Sequence, residues 1–132
     1  MRVLALDHGA ARCGAAISDA TGTLASPLAA IERPDTRRGL GAVARLVDEQ
    51  AAARVVVGLP LTLAGDEGEQ AARARAFAER LEGRVSVPVE LYDERLTTRL
   101  AERSGGGGDE DSRAAAHLLE SWLAASAGSA GA

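Results

Sequence analysis

The 132-residue chain has no lysine; all 15 basic residues are arginine, against 19 acidic ones, for a net charge of −4. Without lysine, Gly-x-x-x-x-Gly-Lys-[Ser/Thr] cannot be written, which excludes a nucleotide site of that kind. Aromatics are equally scarce, with one Phe, one Tyr and one Trp. The interior must therefore come from Ala, Val and Leu, and an RNA reader built on stacked aromatic rings is excluded. Cys13 is the single cysteine, so no internal disulfide can form and a cytoplasmic setting is expected. No apolar run is long enough to span a bilayer. Met-Arg-Val-Leu opens straight into an apparent strand, so no signal peptide and no membrane partner are expected. The acidic balance argues against a protein that coats nucleic acid without specificity. An arginine-only basic set is explained by genomic base composition, yet its fork geometry still suits phosphate.

What is present is nearly half apolar and organised as one domain over residues 1–124, followed by an Ala/Ser/Gly tail at 125–132 that is expected to be flexible. Residues 2–6 and 13–18 read as paired strands around Asp7-His8-Gly9, and 24–31 follows the turn at Thr21-Gly22-Thr23 as a third antiparallel strand. Leu40, Val43, Leu46 and Val47 recur at helical spacing, with Asp35 or Thr36 as cap. Val55-Val56-Val57 before Gly58-Leu59-Pro60 reads as a strand buried on both faces. A helix over 67–82, a strand over 85–92 weakened by Pro88, a short helix over 95–103 and a last helix over 112–123 complete the chain. The order β-β-β-α-β-α-β-α-α predicts an α/β fold with a mixed five-stranded sheet, an antiparallel meander joined to parallel strands and flanked by helices.

Ligands of such open sheets sit beyond the carboxyl ends of the strands, which is where Asp7 and Glu94 fall. Each has a plainer explanation: Asp7 as a turn residue, Glu94 as an acid at a helix N-terminus. Asp111 opens the last helix beside Asp109 and Glu110, where capping explains it equally well. Arg95, Arg99 and Arg103 are spaced i, i+4, i+8, which predicts a basic helical stripe beside Glu94, suited to phosphate or simply to water. Asp19 reads as a turn residue. His8 and His117 make no zinc signature, and no Ser-His-Asp set is evident.

Four segments carry a family resemblance. Ala5-Leu6-Asp7-His8-Gly9 with Arg12, Gly14 and Ser18-Asp19, then Val57-Gly58-Leu59-Pro60-Leu61 with Gly65 and Gly68, then Asp93-Glu94-Arg95-Leu96-Thr97-Thr98, and finally Asp111-Ser112-x-Ala114-Ala115 before Leu118-Leu119 resemble the YqgF/RuvX proteins, in the same order. The resemblance implies a ribonuclease H-like fold related to Holliday-junction resolvases, and a hydrolytic nuclease acting in 5′-end maturation of pre-16S ribosomal RNA. It maps the family's acidic, metal-holding and catalytic site onto Asp7, Glu94 and Asp111, with Mg²⁺ or Mn²⁺ as cofactor. On this reading Asp7 bridges two ions and the other two acids complete their shells, so that one ion activates the attacking water and the other steadies the leaving oxygen. Arg12, Arg95, Thr97, Thr98 and Arg99 are the expected nucleic-acid contacts.

The partner implied is RNA, within the assembling small ribosomal subunit, with branched DNA as the alternative and a monomer or weak dimer as the assembly. Two departures weaken the expected grip on nucleic acid. The segment before Asp111 is short and dominated by Gly105 to Gly108, and Ala10-Ala11 stands where basic residues usually precede Arg12. A non-catalytic ribosome-assembly factor that kept the fold is therefore a further alternative. A sugar-kinase or actin-like ATPase, whose phosphate loop also follows a strand ending in Asp-x-Gly, needs two such lobes where this length supplies one.

Overall fold

The computed structural model describes residues 1–97 and 110–130. Five strands form one sheet: β1 (Val3–Asp7), β2 (Arg12–Ser18), β3 (Ala25–Glu32), β4 (Arg54–Leu59) and β5 (Val89–Asp93), in the spatial order β3-β2-β1-β4-β5. The β1–β2 and β2–β3 pairs are antiparallel, and β4 runs parallel to both β1 and β5, as the predicted meander on a parallel centre requires. The central strands carry almost nothing but Val, Leu, Ile and Ala because both of their faces are covered.

Strand periodicity divides the core into two layers. Leu4, Leu6, Ile17, Val55 and Val57 face one way, packed by Leu40, Val43 and Val47 of α1 (Arg37–Glu49) and by Phe77 and Leu81 of α2 (Glu69–Glu82). Val3, Ala5, Ala16 and Val56 face the other way, against Ala115, Leu118, Leu119 and Trp122 of α3 (Glu110–Ala130). Thr36 caps α1, its hydroxyl accepting from the Gly39 amide at 3.0 Å. Asp19 organises the β2–β3 turn as a turn residue should, accepting from the Thr23 and Leu24 amides around Gly22 at φ 75°.

Three predicted boundaries move. The last strand begins at Val89, not Val85: Pro88 has no N–H to give, but its carbonyl accepts from Val55 at 2.9 Å and so starts the ladder with β4. The helix expected over 95–103 begins as one turn of 3-10 helix, Glu94–Leu96, because the Asp93 carboxylate takes the Arg95 amide at 2.9 Å. Its remainder, with Thr98, Arg99, Arg103 and the Gly105 to Gly108 tract, lies outside the described residues. The last helix continues to Ala130, beyond the predicted end at Leu123 and through most of the segment expected as a tail.

Candidate active site

The site grows from the end of β1. Val3 and Ala5 point toward α3, so by strand alternation Asp7 does too. Its neighbours at the same level are glycines: Gly14 pairs with Asp7 on β2, and Gly58 stands one step beyond the Leu6–Val57 pair on β4. Both glycines leave room that is already taken. A Cβ on Gly14 would lie 1.9 Å from the Asp111 carbonyl oxygen, and one on Gly58 would lie 3.0 Å from both Cγ and Cδ of Glu94. The missing side chains on either side of β1 are thus what allow Asp111 and Glu94 to close in on Asp7.

The Asp7 and Glu94 side chains are hydrogen-bonded to each other. Burial is the main cause that lifts Asp7 above its ordinary value of 3.8; the bond to Glu94 pulls it down, the Asp111 charge pushes it up, and His8 pulls it down. Asp111 accepts from Arg12 Nε at 2.8 Å through Oδ2, while the neighbouring Ser112 hydroxyl accepts from the Ala15 amide at 3.3 Å and pins the start of α3 to β2.

Two carboxylates in hydrogen-bond contact need a shared proton or a cation in its place, and an all-oxygen donor set suits a hard divalent ion. The residues present fit such an ion in that chemical sense. Among the described residues, however, no three His, Cys, Asp or Glu side chains are already gathered as a ligand set. Asp7 and Glu94 form the pair, and Asp111 bears on it while held by Arg12.

A cleft of about 760 Å³ opens in front of the pair, walled by the β1–β2 turn, by Pro60 to Leu63, by Gln70 and Arg73 of α2, and by Arg95 and Thr97. Arg95 does not project as the first member of a free basic stripe. It grips Asp93 through Nε and Nη2, the latter at 2.7 Å, and reaches the Leu63 carbonyl, so it ties the two walls of the cleft together. Thr97 has a buried hydroxyl without a hydrogen-bond partner among the described residues.

Sequence reasoning missed the cleft's Gln70 and Arg73, for which α2 periodicity gives no cue to the flank that meets the strand ends. It also left His8 unassigned. The His8 ring is buried, lies 4.9 Å from Phe77, and meets Asp35 through Nε2 at 2.8 Å. Asp35, a candidate cap for α1, is instead the partner that holds the residue after Asp7. Cys13 is buried and its thiol is pushed well above the usual range by desolvation.

The family model described as RuvX: Holliday junction resolvase matches residues 1–125. The chain belongs to the RuvX family. A relative in Anaeromyxobacter sp. (strain Fw109-5), named as a pre-16S rRNA nuclease, is 42% identical, with 93% of this chain and 96% of that protein covered. Another of that name, in Chloroflexus aurantiacus, is 48% identical over 101 residues, covering 76% of this chain but only 66% of its own length. Among solved structures, Thermus thermophilus RuvC in complex with a Holliday junction substrate superposes with a TM-score of 0.67 at 14% identity, over 97% of this chain and 96% of RuvC. That likeness establishes for this RuvX member the ribonuclease H-like fold expected from its motifs. No described helix is long and apolar enough to cross a membrane.

Proposed function

We propose that this RuvX member is a metal-dependent endonuclease that hydrolyses phosphodiesters, acting on RNA in the 5′-end maturation of pre-16S rRNA. The observation that carries the reading is the contact between the Asp7 and Glu94 carboxylates at the end of β1, walled by Gly14 and Gly58 and biased by Asp111. Buried like charges at a strand end cost stability unless a cation or proton relieves them, and a nuclease centre is a use for that cost. The names of the relatives support the substrate.

Asp7, Glu94 and Asp111 would hold Mg²⁺ or Mn²⁺, which when bound lowers the pKa of an attacking water and neutralises charge on the phosphate. Release of Asp111 from Arg12 would bring the third acid to the pair and turn Arg12 Nε toward the substrate backbone. Arg95 holds the Leu63 loop against the cleft, and Thr97 offers its hydroxyl there. The expected contacts at Thr98 and Arg99 belong to the same proposal. A cytoplasmic monomer or weak dimer on the assembling small subunit is the setting.

The family description favours a second substrate, a four-way DNA junction. Purified protein is therefore offered a pre-16S 5′-leader RNA and a four-way junction, each with and without Mn²⁺. Metal-dependent cutting of the RNA is expected, and cutting of the junction alone would transfer the reading to DNA. Asp7→Asn is expected to abolish cleavage and weaken Mn²⁺ binding in a titration while leaving the circular dichroism spectrum unchanged; a variant that still cuts removes Asp7 from the site.

A further inference from the structure

The arginines are not spread evenly. Arg73 and Arg80, at i and i+7 on α2, and Arg84, two residues past the end of that helix, lie toward α1: Arg80 donates to the Asp35 carbonyl at 2.8 Å, and an Arg84 Nη lies 3.5 Å from the Cβ position of Gly41. The opposite flank carries Arg75, Glu79 and Glu82, where Arg75 is bonded to Glu67 and feels Glu79. Across the groove, Arg37, Gly41 and Arg45 form an i, i+4, i+8 row on α1, with Arg38 beside it.

These arginines are exposed, and Arg37, Arg38, Arg45 and Arg84 make no ion pair among the described residues. An Arg45 Nη lies 3.9 Å from the same Gly41 position that Arg84 approaches. Two guanidinium groups, one from α1 and one from the segment after α2, thus approach one backbone position, and neither is ion-paired among the described residues, an arrangement that an anion relieves. Asp35 is engaged by His8 and Glu69 by Arg73, and only at its far end does α1 turn acidic, at Asp48 and Glu49.

We propose that α1 and α2 form a second nucleic-acid contact, a track for the phosphodiester backbone that leaves the Asp7–Glu94 cleft at Arg73 and runs to Arg45 and Arg84. It rests on the nuclease reading above. Arg73 lines the cleft, so the track is continuous with it. From Arg73 to Glu82, the last residue of α2, is about 14 Å at 1.5 Å per residue, or about four stacked nucleotides at 3.4 Å per phosphate. Guanidinium forks match phosphate oxygens, and contacts of this kind position a strand without reading its sequence. The track supplies a basic surface in a chain whose Gly105 to Gly108 segment and Ala10-Ala11 lack one.

The test measures binding of single-stranded RNA of about 30 nucleotides and of about 6, the second too short to leave a site of single-module size. Both are titrated against Asp7→Asn protein, which prevents cutting, with and without Arg37→Gln, Arg45→Gln and Arg84→Gln together. Those three side chains make no hydrogen bonds among the described residues, so the fold is expected to persist, as circular dichroism would verify. For the long RNA the slope of log affinity against log salt should fall by about 2, at about 0.7 per lost phosphate contact on a single strand. The long RNA should lose its advantage over the short one, whereas Arg75→Gln on the opposite flank leaves that advantage in place. A single-stranded DNA arm should lose as much, because the backbone is what is held. An unchanged slope and undiminished advantage for the long strand overturn the track. The nuclease reading fails separately, if wild-type protein cuts neither RNA nor DNA.

Discussion

Gly14 and Gly58 do at the residue scale what the acids cannot do for themselves, which is to clear the space on both sides of Asp7. Their consequences differ because their neighbours do. A methyl at position 14 meets a backbone carbonyl at 1.9 Å, so Gly14→Ala must push the start of α3 off the sheet. Overpacking of this sort costs about 1–3 kcal/mol, and a shift of Asp111 should remove activity as well; urea melts and cleavage assays together check both. At position 58 the methyl meets the end of the Glu94 side chain at 3.0 Å, which can swing aside. Leu118 Cδ2, in the α3 core, stands at 3.2 Å as well, so Gly58→Ala should lower cleavage and cost some stability too, though less than Gly14→Ala, whose methyl meets backbone. Asp19, far from the site, gives a clean acid dependence: backbone hydrogen bonds from Leu24, the Thr21 hydroxyl and the Thr23 groups hold its carboxylate below the ordinary range. A depressed folded value means the turn's added stability is complete above the unfolded value of about 3.8 and fades as pH falls below it. Protection of the Thr23 and Leu24 amides, taken relative to their intrinsic exchange rates, should fall under acid in the native protein, whereas Asp19→Asn should show no such acid-dependent fall.

At the scale of elements, α2 joins core and site. Phe77 is fully buried against the sheet and lies beneath the His8 ring, which follows Asp7. Phe77→Ala should cost about 3–5 kcal/mol, seen as a lower denaturation midpoint, and should depress cleavage more than an Ala substitution at Val47, which packs the same layer far from His8. Why some of this was legible in the sequence and some was not has a physical basis. Strand and helix periods, and the placement of Asp7 and Glu94 at strand ends, are local and survive folding. The start of β5 depended on Pro88 acting as an acceptor only, and the turn at Glu94 on the Asp93 carboxylate capping it through the Arg95 amide. The His8–Asp35 and Arg12–Asp111 contacts join residues 27 and 99 positions apart, with no motif to announce either. Which flank of α2 faces the cleft depends on how the helix packs on the sheet, which its own period does not state.

At the scale of the whole molecule, one sheet is shared by two helical layers, and the single tryptophan reports on only one of them. Trp122 lies on α3, packs against Val3, Ala5 and Val56, and donates to Glu90 Oε2 at 3.0 Å. The helices of the opposite layer, α1 and α2, contribute to far-ultraviolet circular dichroism but not to that fluorescence. If the layers were independently stable, α3 could leave while the other face stayed packed, and the two signals would separate. Leu4, Leu6 and Val55 alternate along the same strands as Val3, Ala5 and Val56, so exposing one face strips cover from strands that the other layer needs. Tryptophan fluorescence and circular dichroism should therefore give one midpoint in urea, as in a two-state domain. For the proposed site, the consequence is that Asp111, on α3, would not be carried away from the Asp7–Glu94 pair by undocking of the helix without unfolding of the domain. The exchange proposed for it between Arg12 and the acid pair would then be a side-chain movement, and substrate cleavage should persist in urea up to the same midpoint and cease with it.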